Sequence, residues 1–298
     1  MTTTTTITDE TTGRKFTLDE PSDLRPGEAV TFLLNLHGGG SVGSWQRLYF
    51  PAFDYADQHR LVIATPSAAT KEPSRRWEAE ADDAHLRNIV EWMVGRYGAG
   101  NITAFWLVGH SQGGMTSNRL LGQQYYLDRV DGWLSLSGGR IGPVTLPASF
   151  FAPLRMPAPP TEPASGVRPG RAATVEGDIS FIFATGEHEI VELPETSPWA
   201  EKYGAGPRVQ LPDVVDEQPG QIHDTTREGR STPAWGLSPR PGTARVWVYP
   251  DARDGRVIAD VVRLDKGHTE GLEPRITQKL LELMLSAPGG KLRALQGA

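Results

Sequence analysis

Cysteine is absent from all 298 residues, which rules out disulfides and thiolate-ligated metals. Long apolar runs are missing as well. No stretch approaches the ~18 consecutive apolar residues that a membrane span requires. Lysine and arginine form no stripe, and a formal net charge of −6 argues against nucleic acid as a partner. The N-terminal MTTTTTITDETTGRKF has neither the basic start nor the apolar centre of a secretory signal. No dinucleotide-binding fingerprint, phosphate loop or H-E-x-x-H zinc spacing occurs. These absences lead us to expect a soluble cytoplasmic protein with no cofactor and no metal. They leave homo-oligomerisation open.

What is present fits a globular core. Hydrophobic residues make up 38% of the chain, with 8 Trp, 9 Phe and 7 Tyr, more aromatic surface than a disordered polymer carries. Short apolar runs at 29–36, 61–66, 102–108, 133–137 and 179–184 read as buried strands. Helical spacing appears at 45–59, with a bend near Pro51, and at 82–97, 112–126 and 273–286. Residues 244–249 and 256–264 flank a DARDGR turn and suit a hairpin. This alternation predicts a mostly parallel sheet with helices on both faces. Two Pro/Gly-rich stretches, 139–178 and 191–243, interrupt it. We read them as insertions on a single 1–298 domain, over the active face, as a lid or cap.

The pentapeptide G-x-S-x-G, the form of a serine hydrolase's nucleophile elbow, occurs twice, around Ser41 and around Ser111. An elbow needs a strand running straight into the serine and a helix leaving it, with small residues two before and two after. Ser111 meets every condition: AFWLVGH leads in, QGGMTSNRLL leads out, and Gly109 and Gly113 flank it. Ser41 is followed by the flexible VGS instead. Its neighbours His37-Gly38-Gly39-Gly40, after the strand FLLNL, resemble the second half of an esterase oxyanion hole. The N–H groups of Gly38, Gly39 and Gly40 would then join that of Gln112, at a helix N-terminus that favours an anion. Each such donor is typically worth ~3–4 kcal/mol of transition-state stabilisation.

A serine nucleophile needs a histidine base and an orienting carboxylate, in the chain order Ser, acid, His for this architecture. After Ser111 come His188, His223 and His268. His268 follows the strand IADVVRL in a DKGH turn, the place from which a loop reaches the elbow; His223 lies in polar sequence and His110 is locked beside the serine. Candidate acids are Glu187 and Glu189, just past ISFIFA, with Asp265 a distant third. Trp45, Phe150, Phe151 and Met156 are candidates for an acyl-pocket wall.

Taken together, LNLHGGGSVGSW, the Trp77…Asp82-Asp83 run, GHSQGGM, ATGEHEIVELP and DKGHT resemble the polyhydroxybutyrate depolymerase/feruloyl esterase group of α/β-hydrolases. The resemblance spans roughly residues 28–142, 179–190 and 244–286. It implies an α/β-hydrolase fold and serine-dependent ester hydrolysis through an acyl-enzyme. In that group the acid follows a strand, a glycine and two residues, and precedes an apolar pair. Gly186, Ile190 and Val191 accordingly favour Glu189 over Glu187, with Glu replacing the usual Asp. Secreted members carry signal peptides and disulfides; their absence here points to a small soluble ester. Thioester or peptide hydrolysis uses the same machinery, and a non-catalytic binding scaffold is the rival of another class.

Overall fold

The computed structural model describes residues 2–140, 146–147, 177–224 and 232–296. Its centre is a run of parallel strands in the order β4 (Leu61–Pro66), β3 (Val30–Leu36), β5 (Ile102–His110), β6 (Gly132–Leu136), β7 (Ser180–Gly186) and β11 (Ile258–Leu264). Antiparallel strands extend both sides. β1 (Thr2–Asp9) and β2 (Arg14–Pro21) lie beyond β4, and β10 (Thr243–Val248) lies beyond β11. The short β8 (Val209–Gln210) and β9 (Val214–Val215) both pair with β10.

Successive side chains of a strand point to opposite faces, and here both faces are covered. On β3, Phe32, Leu34 and Leu36 enter one core, with Leu86, Ile89 and Met93 of helix α3 (Ala79–Tyr97). Leu33 enters the other, with Tyr49 of α1 (Gly43–Tyr49). Leu280, Leu281 and Met284 of the C-terminal helix (Pro274–Leu285) belong to that second core as well. The sheet with helices on both faces is therefore the one expected, and the 244–264 hairpin pairs antiparallel from Thr243↔Leu264.

Several boundaries differ from expectation. The helix anticipated over 45–59 is three pieces: α1, a 3-10 turn (Ala52–Tyr55) and α2 (Ala56–His59). The break falls at Pro51, whose missing N–H cannot continue the ladder. The 112–126 helix ends at Leu121 and restarts as a short turn, Gln124–Leu127. Apolar periodicity in the sequence does not mark the strands β1 and β2. The threonine run has strong β propensity but no apolar alternation, because β1 is an edge strand exposed along much of its length.

Of the two stretches read as insertions, 139–178 falls almost wholly outside the described residues, with Phe150, Phe151 and Met156 in it. The 191–243 stretch contributes β8, β9 and the helix Pro198–Lys202. Arg140, the last described residue before position 146, is buried. Its guanidinium donates to both oxygens of buried Asp260, at 2.9 and 2.8 Å, and to the Thr196 carbonyl at 2.7 Å. Arg140→Met would leave that buried carboxylate without its charge partner, so a loss of about 3–5 kcal/mol is expected. Urea unfolding measures it directly; a midpoint equal to that of the unsubstituted protein would contradict it.

Candidate active site

The elbow begins with a backbone that only small flanking residues allow. Ser111, between β5 and the helix α4 (Gln112–Leu121), has φ 51° and ψ −117°. Such sparsely populated geometry costs ~1–3 kcal/mol and persists only where the surroundings enforce it. They do so here. The Ser111 N–H donates to the Leu136 carbonyl at 2.8 Å. A Cβ on Gly109 would lie 2.3 Å from the Gly113 carbonyl carbon, and one on Gly113 would lie 2.2 Å from the Leu36 oxygen. The strand and helix can cross this closely only as glycines.

Three distant segments meet at the serine. His268, after β11, has its Nε2 2.8 Å from Ser111 Oγ and its Nδ1 2.6 Å from Glu189 Oε2. Glu189 closes a 3-10 turn (Glu187–Glu189) directly after β7. Its other oxygen, Oε1, accepts the Gly186 N–H at 2.8 Å and the Ser137 hydroxyl at 2.7 Å. Burial alone would raise the Glu189 pKa. The facing His268 and these two donors outweigh burial and hold the carboxyl below its ordinary range.

The loop carrying His268 is clamped from several sides. The His268 N–H donates to the Ala234 carbonyl at 3.0 Å, and the Thr269 N–H to that of Trp235 at 2.9 Å. The Trp235 ring stands edge-on to the imidazole, 4.8 Å between centroids. Part of the 191–243 stretch thus packs directly on the histidine. Beneath lies a buried ionic group: Arg263 bonds Glu273 at 3.0 Å and the Glu270 and Gly271 carbonyls at 2.7 Å each. Lys266 lies 3.0 Å from Glu273.

His110 joins the Ser111 turn to the same loop. Its Nε2–H donates to the His268 carbonyl at 2.8 Å. Its ring packs against Trp45, Tyr49 and His268. Burial, followed by the field of His268, drives its pKa well below the usual histidine value, so it stays neutral. Trp45 stacks on Tyr49 at 4.9 Å and thus reaches the site through the His110 aromatic group.

The glycine run stands on the other side of the serine. A Cβ on Gly38 would lie 3.2 Å from Ser111 Cβ, and one on Gly39 3.4 Å from the Gln112 Oε1. One member of the predicted donor set is spent elsewhere: the Gly40 N–H donates to the Arg75 carbonyl at 2.7 Å. Gly40 itself sits at φ +77°, a left-handed backbone that glycine adopts without strain. The N–H groups of Gly38, Gly39 and Gln112 have no acceptor among the described residues.

The competing residues stand apart from this line. Ser41 lies in the turn before α1, which begins at Gly43 rather than at Trp45; no histidine bonds its hydroxyl among the described residues. His188 pairs with Asp265 at 2.8 Å on the surface, and the Glu187 carboxylate accepts the Asp265 N–H at 2.8 Å. His223 bridges to Glu270 through its backbone. Sequence reasoning missed Ser137, Trp235 and the Arg263 group, whose roles arise from contacts across the fold and leave no local pattern. Among the described residues no cluster of three or more His, Asp or Glu could hold a metal, and no helix is long and apolar enough to cross a membrane.

No family model matches the sequence, nor does any curated protein sequence. Solved structures do match. An acetyl xylan esterase from Aspergillus awamori superposes with a TM-score of 0.54 over 96% of this chain and 100% of its own, at 13% identity. The fold is that of the α/β-hydrolases. TT1662 from Thermus thermophilus shares it, with a TM-score of 0.50, 16% identity and coverage of 96% and 97%. A feruloyl esterase module from Clostridium thermocellum matches 63% of this chain and 67% of its own at 16% identity, with a TM-score of 0.39. In this α/β-hydrolase fold the Ser111 elbow, the Glu189 turn and the His268 loop all follow the carboxyl ends of parallel strands.

Proposed function

We propose that the protein is a serine esterase that hydrolyses small carboxylic esters through an acyl-enzyme, with Ser111 as nucleophile, His268 as base and Glu189 as orienting acid. The observation that carries the reading is the continuous line Ser111 Oγ, His268 Nε2, His268 Nδ1 and Glu189 Oε2, with steps of 2.8 and 2.6 Å. Acyl transfer needs such a line: a hydroxyl is a poor nucleophile until a neighbouring base takes its proton.

Ser111 Oγ bonds to the ester carbonyl carbon as its proton passes to His268 Nε2. Glu189 stabilises the resulting imidazolium and keeps Nδ1 protonated throughout. The tetrahedral oxyanion lies against the N–H groups of Gly38, Gly39 and Gln112. Collapse breaks the carbon–alkoxy bond, and the leaving alcohol takes the proton from Nε2. Water then repeats the sequence on the acyl-enzyme, giving the acid and free Ser111. Cytoplasmic location and a small soluble substrate belong to the same proposal.

A fluorophosphonate probe should label folded protein at Ser111, as read by peptide mapping, and p-nitrophenyl esters of short acids should turn over. An unlabelled Ser111 would overturn the serine-hydrolase reading. Turnover of amides or thioesters alone would overturn the ester assignment.

A further inference from the structure

Trp77 is buried, and the mechanism above does not use it. It lies just before α3, on a segment held from two directions. Asp82 Oδ2 accepts the Glu78 N–H at 2.8 Å, and Gln112 Oε1 accepts the Trp77 N–H at 3.1 Å. So fixed, the Trp77 indole Nε1–H donates to the His37 carbonyl at 2.7 Å. The peptide bond between His37 and Gly38 is trans, so its N–H points opposite to that carbonyl. Pinning the His37 oxygen therefore sets the direction of the Gly38 N–H.

The next peptide is fixed by the residue that Trp77 packs against. The His37 and Trp77 rings lie 4.7 Å apart. The Ala68 N–H donates to His37 Nε2 at 2.9 Å, which makes Nε2 an acceptor and places the ring proton on Nδ1. That Nδ1–H donates to the Gly38 carbonyl at 2.7 Å, and the opposite end of the same peptide is the Gly39 N–H. Burial pushes the His37 pKa down to about 4, so this tautomer holds at neutral pH.

The geometry points to Trp77 as a positioning residue that aims the oxyanion-binding amides of Gly38 and Gly39 through its indole N–H. This rests on the serine-esterase reading above. The indole reacts with nothing. It converts a glycine run, otherwise free to rotate its peptide planes, into a preorganised pair of donors. The same contact explains why a tryptophan, rather than another large ring, fits there: phenylalanine fills much of the space but offers no donor.

The test replaces the N–H and keeps the shape. Two variants are made, Trp77→Phe and Trp77→3-benzothienylalanine, in which sulfur stands where the indole N–H was. The second guards against a packing defect in the first. With p-nitrophenyl acetate, kcat should fall about 10- to 100-fold in both while KM stays within about threefold, as expected when only transition-state contacts are misaligned. The affinity for an aryl trifluoromethyl ketone, which forms a tetrahedral oxyanion on the serine, should fall in the same proportion. A benzothienyl variant with kcat within about twofold of the unsubstituted protein would overturn the inference. So would a loss of kcat with unchanged ketone affinity. Failure of the unsubstituted protein to label at Ser111 would instead sink the esterase reading, and the inference with it.

Discussion

Ser111→Ala should abolish ester turnover, lowering kcat by about a million-fold, the loss typical when the nucleophile of a working triad is removed. Ser41→Ala should keep kcat within about threefold. The contrast follows from the two backbones. Ser111 is held at φ 51° with its hydroxyl 2.8 Å from His268 Nε2. The Ser41 hydroxyl is buried in a turn with no hydrogen-bond partner among the described residues, and its N–H donates to the Gly38 carbonyl at 3.2 Å. Steady-state rates with a p-nitrophenyl ester, beside circular dichroism to confirm folding, decide the matter. Equal inactivity in folded Ser41→Ala would reverse the reading of the two motifs.

Glu189→Gln should cost about 10⁴ in kcat with little change in the fold. The size of the effect comes from the asymmetry of the carboxylate. Oε1 already faces two donors, the Gly186 N–H and the Ser137 hydroxyl. A glutamine must place its carbonyl oxygen there, so its NH₂ faces His268 Nδ1. The imidazole can answer only by accepting at Nδ1, which moves its proton to Nε2 and removes the lone pair that Ser111 needs. The variant tests the tautomer rather than the charge alone. Turnover within about tenfold of the unsubstituted protein would show that Glu189 does not orient the base.

The parallel centre of the fold is legible in the sequence because both faces of β3, β5 and β7 are buried, which leaves short continuous apolar runs. The elbow is legible for another reason. Its glycines, serine and flanking elements are contiguous, so a local pattern carries all of its steric requirements. Choosing Glu189 over Glu187 needed the family-like spacing from Gly186, since the two lie in one short loop and differ only in which way the 3-10 turn aims them. The Gly40 N–H departs from the expected donor set for a related reason: the glycine run does not record which of its peptides turns toward Arg75. Ser137 and Trp235 were illegible. Ser137 serves Glu189 across 52 positions, and Trp235 meets His268 through a turn whose sequence is ordinary loop.

His110 has a mechanical consequence. Its imidazole carries a single proton, used on the carbonyl of a residue 158 positions away, and its other nitrogen faces Gly38. The end of β5, the glycine turn after β3 and the loop after β11 therefore all meet at one neutral ring. Ser111, His268 and the Gly38 backbone thus share one buried imidazole as their common neighbour.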